Sequence, residues 1–250
     1  FLKRMFSAQA QIVLQPPDKV ARPLRPDGNP VVIATVIKPS QRLRSIDQWQ
    51  KVRDITRTVP GILSVSPMAS GAAFAVKGGA DKSISLMGVE PDVYFSVVDI
   101  PGKLVAGAPR LNVGDILIGT QLASDLGVAV NDKLRVTTAS GASQTVTITG
   151  IFDLGNRGAN ERNTYVALHT AQTLLGLTGG VTTIDVTVRD VYAAEDIAQM
   201  ITAATGVEAD SWIKTNADFF SFINSQNMSN AAIRIFVSLS VAFGIASVLV

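Results

Sequence analysis

The sequence predicts an α+β chain: two β-α-β units pack as a sandwich, a β-rich stretch is inserted between them, and a long apolar helix ends the chain. Three observations carry this expectation. Helical and strand periodicities alternate in order near residues 45–66 and again near 182–212. Between them lie several short strands with only brief helical interruptions. From Ala231 to Val250 the sequence reads AAIRIFVSLSVAFGIASVLV, in which Arg234 is the one charge.

The first unit opens on the β-branched run PVVIATVI (30–37). Ser45 then caps a helix with Ile46, Trp49, Val52, Ile55 and Val59 at helical spacing. Pro60 and Gly61 end it, and ILSVS (62–66) is the returning strand. Ahead of this unit, PPDKVARPLRPDGNP (16–30) has the Pro and charge content of a linker.

In the inserted stretch, SISLMGV (83–89), DILIGT (115–120), DKLRVTT (132–138), SQTVTITGIF (143–152) and TYVAL (164–168) read as strands. Gln121–Leu126 and Thr170–Leu175 read as short helices stopped by Gly127 and Gly176. Ala139-Ser140-Gly141-Ala142 is a tight hairpin turn. Ser70-Gly71 and Gly78-Gly79 read as turns too. The second unit follows. TTIDVTV (182–188) alternates as a half-buried strand does. Ala194, Ile197, Met200, Ile201 and Ala204 mark a helix closed by Gly206, and VEADSW (207–212) returns. Two packed β-α-β units make a ferredoxin-like split sandwich.

The tail is the strongest physical signal. After Arg234 come 16 residues with nothing more polar than serine, against the roughly 20 that a membrane-spanning helix needs. The run has no polar cap or Gly/Pro terminator. Small residues such as Ala242, Gly244 and Ala246 suit close helix packing in lipid, and Arg234 is placed to snorkel. Upstream, Asn216 is an N-cap, and Phe219, Phe222, Ile223 and Gln226 recur at helical spacing. A helix over 216–250 would be about 50 Å long. The sequence therefore predicts a stalk carrying Phe219, Phe222, Ile223 and Gln226. It predicts membrane contact by Ile235, Phe236, Val237, Leu239, Val241, Phe243, Ile245, Val248, Leu249 and Val250.

Composition narrows the chemistry. Charged residues are 17% of the chain, where soluble domains carry roughly 25%. With no cysteine, disulfides, thiolate catalysis and Cys-based zinc sites are excluded. Residues 1–77 hold 12 Lys/Arg and 4 Asp/Glu, while the rest is net acidic. A basic front third suits anionic headgroups or an acidic partner, but without interleaved aromatics or a binding motif it does not read as nucleic-acid binding. His169 is the one histidine, and its expected role is structural, near the start of a helix. No phosphate-cradling glycine motif occurs, nor a nucleophile elbow. Glu90 and Asp92 flank Pro91, and Glu195-Asp196 suit a helix start. Asp153, Glu161, Asp185 and Asp190 are scattered carboxylates. Trp49 and Trp212 read as core or interfacial anchors. No cofactor, metal or catalytic residue is expected. The chain opens on Phe1 with no secretory signal pattern and reads as a fragment.

LMGVEPDVY (86–94), DILIGTQLASDLGVAVNDKLRVTT (115–138), VTITGIFDLG (146–155), NTYVALHTAQTLLG (163–176) and DSWIKTNADFFSFIN (210–224) resemble the ABC transporter permeases that include MacB, LolC, LolE and FtsX. The resemblance covers most of the chain from about residue 30, and the order and spacing of the motifs carry it more than any one motif. It implies an extracytoplasmic domain between the first and second of four membrane helices. Residues 8–77 and 180–215 would form a porter part, 78–179 a sabre part, and 216–250 the stalk and start of the second membrane helix. It implies an inner-membrane location with the folded domain on the periplasmic side, a partner permease subunit in a dimer and a cytoplasmic ATPase. Stroke transfer by mechanotransmission would serve a hydrophobic or amphipathic cargo, with lipoprotein release among the family's activities and no catalysis in the permease itself. LolC-like members carry a protruding loop between two sabre strands; the matching place here is the tight turn Ala139–Ser143. That departure weakens the expectation of a periplasmic carrier as partner. A membrane-tethered sensor or binding module, including FtsX-like activation of a partner enzyme, is the competing class, and an enzyme built on His169 is third.

Overall fold

The computed structural model describes residues 10–16, 43–216, 234, 237 and 238. Along the chain run β1 (Ile12–Gln15), α1 (Trp49–Thr58), β2 (Ile62–Lys77), β3 (Ala80–Val89), α2 (Pro91–Val97), β4 (Leu104–Gly107) and β5 (Asp115–Gly119). Then come α3 (Thr120–Leu126), β6 (Lys133–Thr138), β7 (Ser143–Phe152), α4 (Arg157–Arg162), β8 (Asn163–Ala167) and α5 (Leu168–Leu174). β9 (Thr183–Val188), α6 (Ala194–Thr205), β10 (Glu208–Ser211) and α7 (Trp212–Thr215) complete it.

Four strands form an antiparallel segment in the order β10-β1-β9-β2. It joins the unit β1-α1-β2 to the unit β9-α6-β10. The expected strand at 30–37 lies outside the described residues, and β1 fills the first-strand position. In β1, Ile12 and Leu14 are fully buried and alternate with Val13 and Gln15. The buried faces of α1 (Trp49, Val52, Thr56) and α6 (Ala194, Ile197, Ala198, Ile201) pack with Val65, Ile184, Val186 and Val188 in one apolar core.

Ser45 does not cap α1. Ile46 forms an isolated antiparallel bridge with Val181, which holds residues 45–47 out of the helix, and the Ser45 hydroxyl donates to Asp47 instead. Helix α1 ends where expected: Val59 is extended before Pro60, because the proline ring disfavours a helical residue ahead of it. Acidic Glu195 and Asp196 open α6, and Gly206, at φ +70°, closes it.

The returning strand is much longer than residues 62–66. β2 runs unbroken to Lys77, so it pairs with β9 over its first half and with β3 and β6 over its second. Ser70-Gly71 is therefore mid-strand rather than a turn. Gly71 is needed there because a Cβ would lie 2.6 Å from the Leu175 side chain. Gly78 and Gly79 do form the turn, at φ +57° and +98°, a region that only glycine enters at little cost.

Past the four-stranded segment, β2, β3, β8, β5, β7 and β6 pair in succession, and β6 pairs back onto β2. The result is a closed six-stranded ring, with β4 continuing along β7. Closure removes exposed strand edges from the ring. Its interior is filled by Ala73, Ala75, Ile84, Leu86, Ile116, Ile118, Leu134, Val136, Val146, Ile148 and Val166, all buried. The hairpin at residues 139–142 forms as expected, with the Thr138 amide donating to the Ala142 carbonyl at 2.9 Å.

Helix α2 was not expected from the sequence. Pro91 starts it at the position where a missing N–H costs nothing. Its Tyr94 and Val97 pack with Val89, Leu117, Phe152 and Tyr165 in a second apolar cluster on the outside of the ring.

Candidate functional site

Of the residues expected at the membrane, Val237 is helical and 55% exposed, as are its helical neighbours Arg234 and Ser238 in the exposed class. Ile235, Phe236, Leu239, Val241, Phe243, Ile245, Val248, Leu249 and Val250 lie outside the described residues. So do Phe219, Phe222, Ile223 and Gln226 of the expected stalk. Among the described residues no helix is long and apolar enough to cross a membrane.

The described chain enters and leaves the sheet at one place. β1 lies beside β10 in antiparallel register, Ile12 opposite Ser211 and Gln15 opposite Glu208. The Trp212 amide donates to the Gln11 carbonyl at 2.8 Å, and the Val188 amide donates to the Gln11 side-chain oxygen at 3.0 Å. Trp212 is anchored by its indole N–H, which donates to the Val191 carbonyl at 2.8 Å. The Ser211 hydroxyl caps α7, accepting from the Lys214 amide, and donates to Glu195. Lys214 reaches back to Asp210 at 2.6 Å, which raises its ammonium pKa. The side-chain nitrogen of Asn216 donates to the Trp212 carbonyl; the helix it was expected to cap lies outside the described residues.

A second feature lies on the opposite face of the four-stranded segment from α1 and α6. Asp185 on β9 stands across from Ser66 on β2 and Val13 on β1. Burial pushes its carboxyl up to about 6. The hydroxyls of Ser66 and Thr183 are buried beside it without a hydrogen-bond partner among the described residues. Helix α2 brings Tyr94 to this face. Burial raises the Tyr94 phenol, and the neighbouring Tyr165 and Asp185 raise it further. The rings of Tyr94 and Tyr165 are 5.7 Å apart. This arrangement places a carboxyl with a raised pKa beneath Tyr94 and beside those two unpaired hydroxyls. The sequence placed Asp185 on the polar face of an alternating strand, but nothing local showed that a helix would cover that face.

The other candidates stay apart. Asp153 accepts from the Gly155 amide and then from the Asn160 side chain, which together lower its pKa and tie down its own loop. Asp190 accepts from the Tyr192 amide at 3.0 Å. His169 is exposed in the first turn of α5. Among the described residues no three His, Asp or Glu side chains are grouped to hold a metal.

Comparison with known proteins agrees with this fold. The sequence pattern of the family described as MacB-like periplasmic core domain matches residues 3–204. The lipoprotein-releasing system transmembrane protein LolC of Neisseria meningitidis serogroup B is 31% identical over 96 residues. That match covers 37% of this chain and 23% of LolC, so the chain spans only part of that relative's length. The extracellular domain of the noncanonic ABC-type transporter YknZ from Gram-positive bacteria superposes with a TM-score of 0.52 at 15% identity, over 81% of this chain and 98% of that one. The periplasmic region of MacB from Actinobacillus actinomycetemcomitans gives 0.52 at 15% identity, over 91% and 95%. These structural likenesses speak to the fold, and the family follows from the sequence match: the chain belongs to the MacB-like periplasmic core domain family.

Proposed function

We propose that the chain is the extracytoplasmic domain of an ABC transporter permease subunit of the inner membrane. In this reading the β10-β1-β9-β2 segment with α1 and α6 is a ferredoxin-like porter part, and the six-stranded ring is the sabre part. The domain couples ATP hydrolysis by a cytoplasmic ATPase, within a dimer of permease subunits, to movement of a hydrophobic or amphipathic cargo. Residues 216–250 are the stalk and the start of a membrane helix.

The observation that carries the reading is the pairing of Ile12 with Ser211. Segments that enter and leave side by side suit a domain hung between two consecutive membrane helices. Motion applied at that point reaches the ring through β2, one 16-residue strand shared by both parts. A helix interior tolerates proline badly, at about 3 kcal/mol. In the full-length transporter, Ile223→Pro is therefore expected to abolish cargo transport while ATP binding survives. Transport at the wild-type rate would remove the stalk from the mechanism and favour a tethered sensor.

A further inference from the structure

The outer face of the ring where β2, β6 and β7 lie side by side exposes a large apolar side chain next to two basic ones. Phe74 is 45% exposed. It stands opposite Thr137 of β6, while the next outward residue of β2, Val76, stands opposite Arg135. Arg135 in turn faces Thr145 of β7. Beyond Val76 the strands part into a groove of about 350 Å³ lined by Val76, Lys77, Gly78, Gly79, Lys133, Arg135 and Thr145.

The charges in this groove are not balanced. Lys77 is held at its rim, donating to the Lys133 carbonyl at 3.1 Å and lying 3.8 Å from Asp132. Lys133 and Arg135 are exposed and have no ion partner among the described residues. They alternate on β6, so they project from the same face about 7 Å apart. That spacing matches carboxylates at alternate positions of an extended chain. The next site along the same direction is the exposed ring of Phe74, which suits an apolar side chain. Asp81, the acidic residue on the neighbouring strand, stands on the far side of Val76 from Arg135.

We propose that this face is a docking surface for an extended acidic segment of an extracytoplasmic protein. Two carboxylates two residues apart engage Lys133 and Arg135, and an apolar residue two further on rests against Phe74. A protein is favoured over an anionic lipid by position, an argument that rests on the permease reading above. The chain enters and leaves level with Val65 on β2, and the groove lies about 40 Å further along that strand at its rise per residue. A bilayer holding the adjoining segments would be out of its reach.

The test uses the full chain and a fluorescein-labelled peptide, Ser-Glu-Ser-Glu-Ser-Leu, with a Gln-for-Glu copy as control. Fluorescence anisotropy is expected to show saturable binding of the acidic peptide that weakens with added salt. Lys133→Glu with Arg135→Glu should weaken it at least about tenfold, and Phe74→Ser should weaken it by a smaller factor. These positions are exposed, so circular dichroism and the unfolding midpoint should stay at wild-type values and certify the fold. Equal binding of the Gln peptide, or no effect of the double charge reversal, overturns the proposal. So does stronger, charge-reversal-sensitive binding to phosphatidylglycerol vesicles than to the peptide, or a concentration-dependent dimer in ultracentrifugation that Arg135→Glu dissolves. Because this measurement does not involve transport, its failure leaves the permease reading standing. Failure of the stalk experiment likewise leaves peptide binding intact.

Discussion

Ile12 and Ser211 stand opposite each other in antiparallel register, and beside them the Trp212 amide donates to the Gln11 carbonyl at 2.8 Å. The two ends of the described sheet are thus fastened to one another. Gln11 is buried, at 5% exposure, and its side-chain oxygen accepts from the Val188 amide at 3.0 Å.

Replacing that acceptor leaves a buried N–H unpaired, which costs about 1–3 kcal/mol. Gln11→Leu is expected to lower the stability by that amount. Urea unfolding read by circular dichroism measures it, and an unshifted midpoint would show that the Gln11 side chain contributes nothing.

The Asp185 carboxyl, raised by burial to about 6 from a usual 3.8, makes stability depend on pH. The folded chain holds this proton more tightly than the unfolded chain does. Its contribution is therefore most favourable below about pH 4, falls as pH rises between about 4 and 6, and is lost above that. Asp185→Asn mimics the neutral form. With partial solvent screening taken into account, it is expected to add about 2 kcal/mol near pH 7.5 and little near pH 3.5. A variant whose advantage does not change between these pH values contradicts the burial of the charge.

Ser66 is fully buried and its hydroxyl has no partner among the described residues. An unpaired buried hydroxyl costs free energy and its removal recovers it. Ser66→Ala is expected to be neutral or to stabilise by about 1 kcal/mol. A clear loss of stability in thermal unfolding would mean that the hydroxyl serves Asp185 across the strand pair.

Gly71 admits α5 and its following residue Leu175 onto β2. A larger side chain there must displace Leu175, an overpacking that costs about 1–3 kcal/mol. Gly71→Val is expected to show a lowered melting temperature, even though valine favours strands. An unchanged melting temperature would mean that Leu175 repacks freely.

Much of this architecture was legible from local periodicity. The alternation of Ile184, Val186 and Val188 identified a strand with one buried face. The spacing of Ala194, Ile197 and Ile201 and the closing Gly206 bounded α6. The hairpin at residues 139–142 was marked by alternating runs on either side of a short, small-residue turn. Each of these depends on neighbours a few residues away, which is what the sequence displays directly. β1 escaped notice because four residues ahead of Pro16 offer almost no period to detect. α2 escaped because Pro91, its first residue, reads equally well as a turn.

The sequence by itself determined the strongly periodic strands and helices such as β9, α6 and the β6–β7 hairpin, that thiol chemistry is absent, and that the chain's motifs resemble one permease family. Tertiary structure alone decided that β6 closes the ring against β2, that α2 brings Tyr94 near Asp185, and that Phe74, Lys133 and Arg135 share an exposed face. The reason is one of range. Periodicity reports which side of an element is apolar, whereas strand partners and covering helices are chosen by packing between residues far apart in the chain.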